Sequence, residues 1–191
     1  MSKFYQALFG LLVLTALLLS GCTSGGTGGI PEKGPEPEAD GTVSAEPSAA
    51  QVTFEGTDLE GNPVSSEIFS QSKLTMVNVW ATYCNPCLRE MPELGELAAE
   101  YDAGEFQLIG IVSDVMEGAD QSQAERLVQQ TGANYPHLLL NESIYYALLT
   151  DVSGVPTTFF IDENGAVLGR VVGAKEKSVW EEIIHELLAA E

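Results

Sequence analysis

The sequence predicts an α/β domain in which a central mixed β-sheet is covered by helices on both faces and preceded by an N-terminal β-hairpin. Three observations lead there. From about residue 74 onward, short β-rich runs alternate with segments whose apolar residues recur at helical spacing. Asn164-Gly165 separates two further β-rich runs, the strongest short signal for a tight hairpin. The last segment places Val179, Trp180, Ile183, Ile184, Leu187 and Leu188 on one helical face, a stripe that needs a sheet to cover it.

Taken in order, Val52-Thr53-Phe54-Glu55 and Pro63-Val64-Ser65-Ser66, joined through Glu60-Gly61-Asn62, read as the opening hairpin. Leu74 to Ala81 is the central strand, and a helix follows from about Asn85 to Tyr101. Pro92 falls inside that helix, lacks an N–H and should kink it. Phe106 to Val112 is a second buried strand. Ala124 to Gln130 is a helix stopped by Gly132. His137 to Leu140 reads as a strand and Ile144 to Leu149 as a short helix, before the closing strands Thr157–Ile161 and Ala166–Val172. There is no internal repeat.

The chemistry concentrates in Cys84-Asn85-Pro86-Cys87, which opens a helix directly after an apolar strand. Unpaired backbone N–H groups and the helix dipole favour an anion at that position. A thiolate is the nucleophile of disulfide exchange, so Cys84, at the helix start, is the expected attacking residue and Cys87, one turn in, the resolving one. Pro86 removes a donor that the first helical turn would leave unused. Two blander readings use the same residues. A structural zinc site needs two more ligands, but Cys22 is remote, and His137 and His185 show no paired-ligand spacing. A purely structural disulfide closing so short a loop gains little from chain entropy. The strand-then-helix context favours redox chemistry.

Together with this run, Trp80-Ala81-Thr82-Tyr83 before it, Glu90 and Pro92 after it, and Gly154-Val155-Pro156-Thr157-Thr158-Phe159 downstream make a specific pattern. On these residues the chain from Val52 onward resembles the TlpA/ResA-like thiol:disulfide oxidoreductases of the thioredoxin superfamily. The resemblance implies a thioredoxin-like fold with an inserted helix–strand between Val112 and Tyr145. It implies a redox disulfide, Cys84–Cys87, and a cis Val155–Pro156 bond facing it. The backbone edge at Val155 would then be free to pair with an extended client. Ordinary thioredoxins carry a buried Asp six residues before the first Cys; here that residue is Asn78, which cannot take a proton. Glu90, three residues after Cys87 and on the same helical face, is the carboxylate available in its place. Trp80 and Tyr83 are expected to wall the site, although packing roles suit both equally. No metal and no cofactor are called for.

The N-terminal residues carry a separate message. An apolar stretch, Ala7 to Leu19, is short for a membrane span and ends in Leu19-Ser20-Gly21-Cys22, which is similar to the lipobox of bacterial lipoproteins. Residues 1–21 therefore read as a signal peptide and Cys22 as the lipidated residue, which leaves one cysteine pair and no orphan thiol. Residues 22–51, rich in Gly, Pro, Ser, Thr and Glu, read as a disordered tether to a domain spanning 52–191. A net charge of −20, from 28 acidic and 8 basic residues, excludes nucleic acid as a partner.

The expected protein is thus a monomer, lipid-anchored at the extracytoplasmic face of a cell membrane, that reduces disulfides of client proteins. The resemblance adds c-type cytochrome precursors as candidate clients and a membrane dithiol carrier as electron donor. Reduction is favoured over oxidation because Asn85-Pro86 supplies no positive neighbour or His to stabilise a thiolate. Two alternatives remain. A metal or haem chaperone would pair the thiols with a His brought near by the fold. A peroxiredoxin-type peroxidase would need Thr three residues before its Cys, where this chain has Ala81.

Overall fold

The computed structural model describes residues 51–190. The expected signal peptide, the lipidated Cys22 and the tether lie outside the described residues, apart from Gln51. A two-stranded antiparallel sheet, β1 (Glu55–Thr57) with β2 (Pro63–Ser65), precedes a five-stranded mixed sheet of order β5-β4-β3-β6-β7. The large sheet comprises β3 (Leu74–Trp80), β4 (Phe106–Met116), β5 (His137–Leu140), β6 (Thr157–Asp162) and β7 (Val167–Val172). Strands β3, β4 and β5 are parallel; β6 and β7 run antiparallel to their neighbours. Helices α1 (Asn85–Glu100), α2 (Ser122–Thr131) and α4 (Lys177–Ala189) and the single-turn α3 (Glu142–Ile144) complete the domain.

Every residue of β3 is buried, which places this strand at the centre of two apolar layers. On one face Leu74, Met76 and Trp80 pack with Met91, Leu94 and Leu97 of α1 and Trp180, Ile183 and Ile184 of α4. On the other, Val77 and Val79 pack with Phe54, Phe69, Ile144 and Leu148. The expected stop at Gly132 is present: it caps α2 in the left-handed conformation that glycine adopts without penalty. A Cβ at Gly95 would overlap the Gly132 carbonyl, so the close approach of α1 to α2 requires glycine there. Glu93 accepts the Lys177 N–H at 2.6 Å, a side chain of α1 satisfying an otherwise open donor at the start of α4.

The structure corrects four local expectations. The first hairpin strand is Glu55–Thr57 rather than Val52–Glu55: Val52 and Phe54 bury their side chains in the second core layer, and the Val52 N–H donates to the Gly165 carbonyl at 2.8 Å rather than to β2. A 3₁₀ helix, Ser66–Gln71, follows β2 and is capped by Ser65. The short helix starts earlier, at Glu142 behind an Asn141 cap, and continues as a π-helical turn over Tyr145–Leu149. Strand β4 runs on past Val112 to Met116 through a break in its register with β5. Pro92 lies within α1, which continues past it to Glu100. No helix among the described residues is long and apolar enough to cross a membrane.

Candidate active site

Strand β3 ends at Trp80, and the next few residues deliver Cys84 to the N-cap of α1. There the Cys84 Sγ accepts the backbone N–H of Cys87 at 3.2 Å, the bond that an N-cap side chain normally makes. The two cysteines form a disulfide with their Cα atoms 5.3 Å apart. Access separates them: Cys84 keeps 5% of its surface exposed, whereas Cys87 has none. The Val155–Pro156 peptide is cis, and the Val155 carbonyl oxygen lies 3.6 Å from the Cys84 Sγ. The segment before β6 and the start of α1, 71 residues apart in sequence, therefore meet at the reactive sulfur.

Glu90 lies one turn beyond Cys87 and is 4% exposed. Its Oε1 accepts from the Asn78 side-chain amide at 3.1 Å and its Oε2 from the Lys175 backbone N–H at 3.2 Å. Burial raises its pKa from 4.5 to about 7, against the opposing pull of those two hydrogen bonds. At neutral pH the group is therefore poised to gain or lose a proton within the helix that carries the dithiol.

The two expected wall residues part company. Tyr83 is 73% exposed beside Cys84. Trp80 has no exposed surface: it packs in the core and its Nε1 donates to His137 Nδ1 at 3.1 Å, so it cannot meet a client. Because Nδ1 accepts that bond, the proton of His137 sits on Nε2 and is donated to the Ala133 carbonyl at 3.1 Å. Burial pushes the pKa of this imidazole down to about 4. Both ring nitrogens are thus engaged in packing the core, which removes His137 as the thiols' partner in a chaperone site. Ala81 is fully buried and offers no hydroxyl where a peroxidase would need one. No cluster of three His, Cys, Asp or Glu among the described residues could hold a metal ion.

One device escapes the sequence pattern. Between the pairs Val112–Leu139 and Met116–Leu140, strand β4 carries three residues that β5 does not match. This bulge turns Ser113 and Asp114 toward the loop leading to Cys84. Ser113 Oγ donates to the Trp80 carbonyl at 2.9 Å. The Asp114 carboxylate accepts from the Thr82 N–H at 3.0 and 3.1 Å and from the Thr82 hydroxyl. Beyond this clamp lies a groove lined by Tyr83, Ser113, Tyr145, Leu149, Val152 and Val155, of which Tyr83 precedes Cys84 in the chain and Val155 meets its sulfur.

Thiol–disulfide exchange is the reaction that a dithiol closed at a helix start, one sulfur more accessible than the other, supports, and it defines the class: thiol:disulfide oxidoreductases of thioredoxin-like fold. Residues 48–169 match the model of the AhpC/TSA family, and the chain belongs to that family. It is similar to the thiol-disulfide oxidoreductase ResA of Bacillus cereus, with 28% identity over 134 residues, or 70% of this chain and 74% of the relative. The thiol:disulfide interchange protein DsbE of Pasteurella multocida is 33% identical over 122 residues, 63% of this chain and 62% of that protein. Among solved structures, a thiol:disulfide interchange protein of Chlorobium tepidum superposes with a TM-score of 0.63 at 27% identity, covering 75% of this chain and 98% of that one.

Proposed function

We propose that this oxidoreductase works reductively, tethered through Cys22 at the extracytoplasmic face of a membrane, on disulfides of client proteins. The observation that carries the reading is the unequal access of the two sulfurs beside the Val155 backbone. In the reduced enzyme the Cys84 thiolate attacks one sulfur of a client disulfide. The client S–S bond breaks, and its second sulfur leaves as a thiolate that takes up a proton. Glu90 accepts the proton of Cys87, whose thiolate then attacks Cys84, closing the enzyme disulfide and freeing the client dithiol. Two electrons and two protons pass to the client, and a membrane dithiol carrier restores the enzyme. The groove past Tyr83 offers an extended client segment room to lie along Val155.

A reductive direction follows from the absence of cationic help at the helix start and from an acid in the next turn, since a negative charge there disfavours thiolate. Haem-binding segments of c-type cytochrome precursors are candidate clients on the family resemblance. Cys87→Ser should attack once and stall as a mixed disulfide on Cys84, from which the client can be identified by mass spectrometry. Cys84→Ser should trap nothing; equal trapping by both variants would reverse the assignment. Glu90→Gln should lower the apparent thiol pKa values and slow turnover. Superimposable curves of alkylation rate against pH would remove Glu90 from the chemistry.

A further inference from the structure

Asn78 is a polar side chain in a strand buried along its whole length. Its Nδ2 uses both hydrogens, one toward Glu90 Oε1 and one toward Thr158 Oγ1, each at 3.1 Å. Its Oδ1 is buried with no partner among the described residues. An orphaned carbonyl oxygen in the core is destabilising, so the contribution of this amide lies in the two bonds it donates. What it supplies is a donor. The Glu90 carboxyl receives one N–H on each oxygen, from Asn78 and from the Lys175 backbone, and a donor on both oxygens suits a carboxylate rather than a neutral acid. The Lys175 donor is fixed by the chain. The Asn78 donor depends on which way the amide points, and Thr158, its direct neighbour across β3 and β6, accepts the second hydrogen in the orientation that gives the first to Glu90.

We propose that Asn78, oriented by Thr158, is a positioning residue that allows Glu90 to carry a negative charge inside the protein during turnover. This rests on the reading of Glu90 as the proton acceptor for Cys87. The other groups acting on Glu90 are the Glu93 carboxylate on its own helix, which disfavours its charge, and the Lys175 ammonium ahead of α4, which favours it. From the segment before β5 the Tyr135 phenol faces it, its own ionisation disfavoured by burial and by Glu90. None of these replaces the lost donor when Asn78 is changed.

The test is an NMR titration of ¹³C-labelled glutamate in the disulfide form, where neither cysteine titrates. Asn78→Leu, which keeps the branched shape and number of heavy atoms, should move the Glu90 midpoint upward by about 1–2 pH units, the worth of one hydrogen bond to a charged group. Thr158→Val should move it in the same direction by less, and Thr158→Ser, which keeps the hydroxyl, should restore it. In the reduced protein the turnover profile against pH should move upward with the midpoint. If Asn78→Leu does not fold, the Thr158 pair decides alone. A midpoint equal to wild type in Asn78→Leu, or in Thr158→Val, overturns the proposal. If the midpoint moves as expected while Glu90→Gln leaves thiol alkylation unchanged, the Asn78 assignment stands and the proton-acceptor reading falls.

Discussion

Glu90 is the side chain through which acidity should reach the fold. Its folded pKa, about 7, lies above the ordinary 4.5, so the native state holds its proton more tightly than the unfolded chain does. The stability that comes with the proton is complete below the unfolded value and is lost as pH rises through the folded one. The gap corresponds to about 3 kcal/mol. Urea melts of the disulfide form between pH 4 and 8 should show wild type losing roughly that much relative to Glu90→Gln, with most of the change before pH 7; parallel curves would contradict it. At this scale Cys84, Cys87, Glu90, Val155 and Pro156 could be read from the sequence because fixed spacing on one helix, or one short motif, carries them. Trp80 could not be placed. A strand buried on both faces has no polar alternation to say which way an aromatic points, and only the partner at His137 decides it.

Among the elements, the bulge of β4 bears most directly on the reactive loop. Asp114 reaches Thr82 with three hydrogen bonds from a strand distant in sequence, two residues ahead of Cys84. Asp114→Ala should leave the fold intact and loosen that loop. The Thr82 amide should exchange with solvent about tenfold faster, as expected for the loss of a bond to a charged acceptor at an exposed site. Asp114→Asn, which keeps one acceptor oxygen, should fall between the two; unchanged protection in Asp114→Ala would show that the Ser113 bond and the backbone suffice. Alternating periodicity made most of the strands and helices legible. It gave no warning of the bulge or of the π-helical turn: the polar pair Ser113-Asp114 reads as the end of the strand at Val112, not as part of a β4 that continues to Met116. Three unmatched residues show only when the strand is laid beside β5.

For the whole molecule, the sequence carries a charge of −20. Reduction of a cationic client should therefore slow as salt is added, while that of an acidic client should change little or quicken. Stopped-flow rates at two ionic strengths check this, and identical salt dependence for both clients would show that charge plays no part in encounter. The proposed tether makes a separate prediction. Cys22→Ala, with the signal retained and cleavable, should move the protein from the membrane fraction to the soluble one. Detection of an unlipidated mature terminus at another residue would dismiss the anchor.

The margins of the five-stranded sheet differ. Along β5, Asp58 bridges Leu138 and the Leu59 N–H donates to the His137 carbonyl at 2.9 Å, so the segment between β1 and β2 occupies that side. Along β7 no strand among the described residues does the same. A sheet with one margin taken and one free can add a single neighbour through its backbone. Two copies that met along β7 would each use the one margin that no segment covers among the described residues, and growth would stop there rather than run on into a fibre.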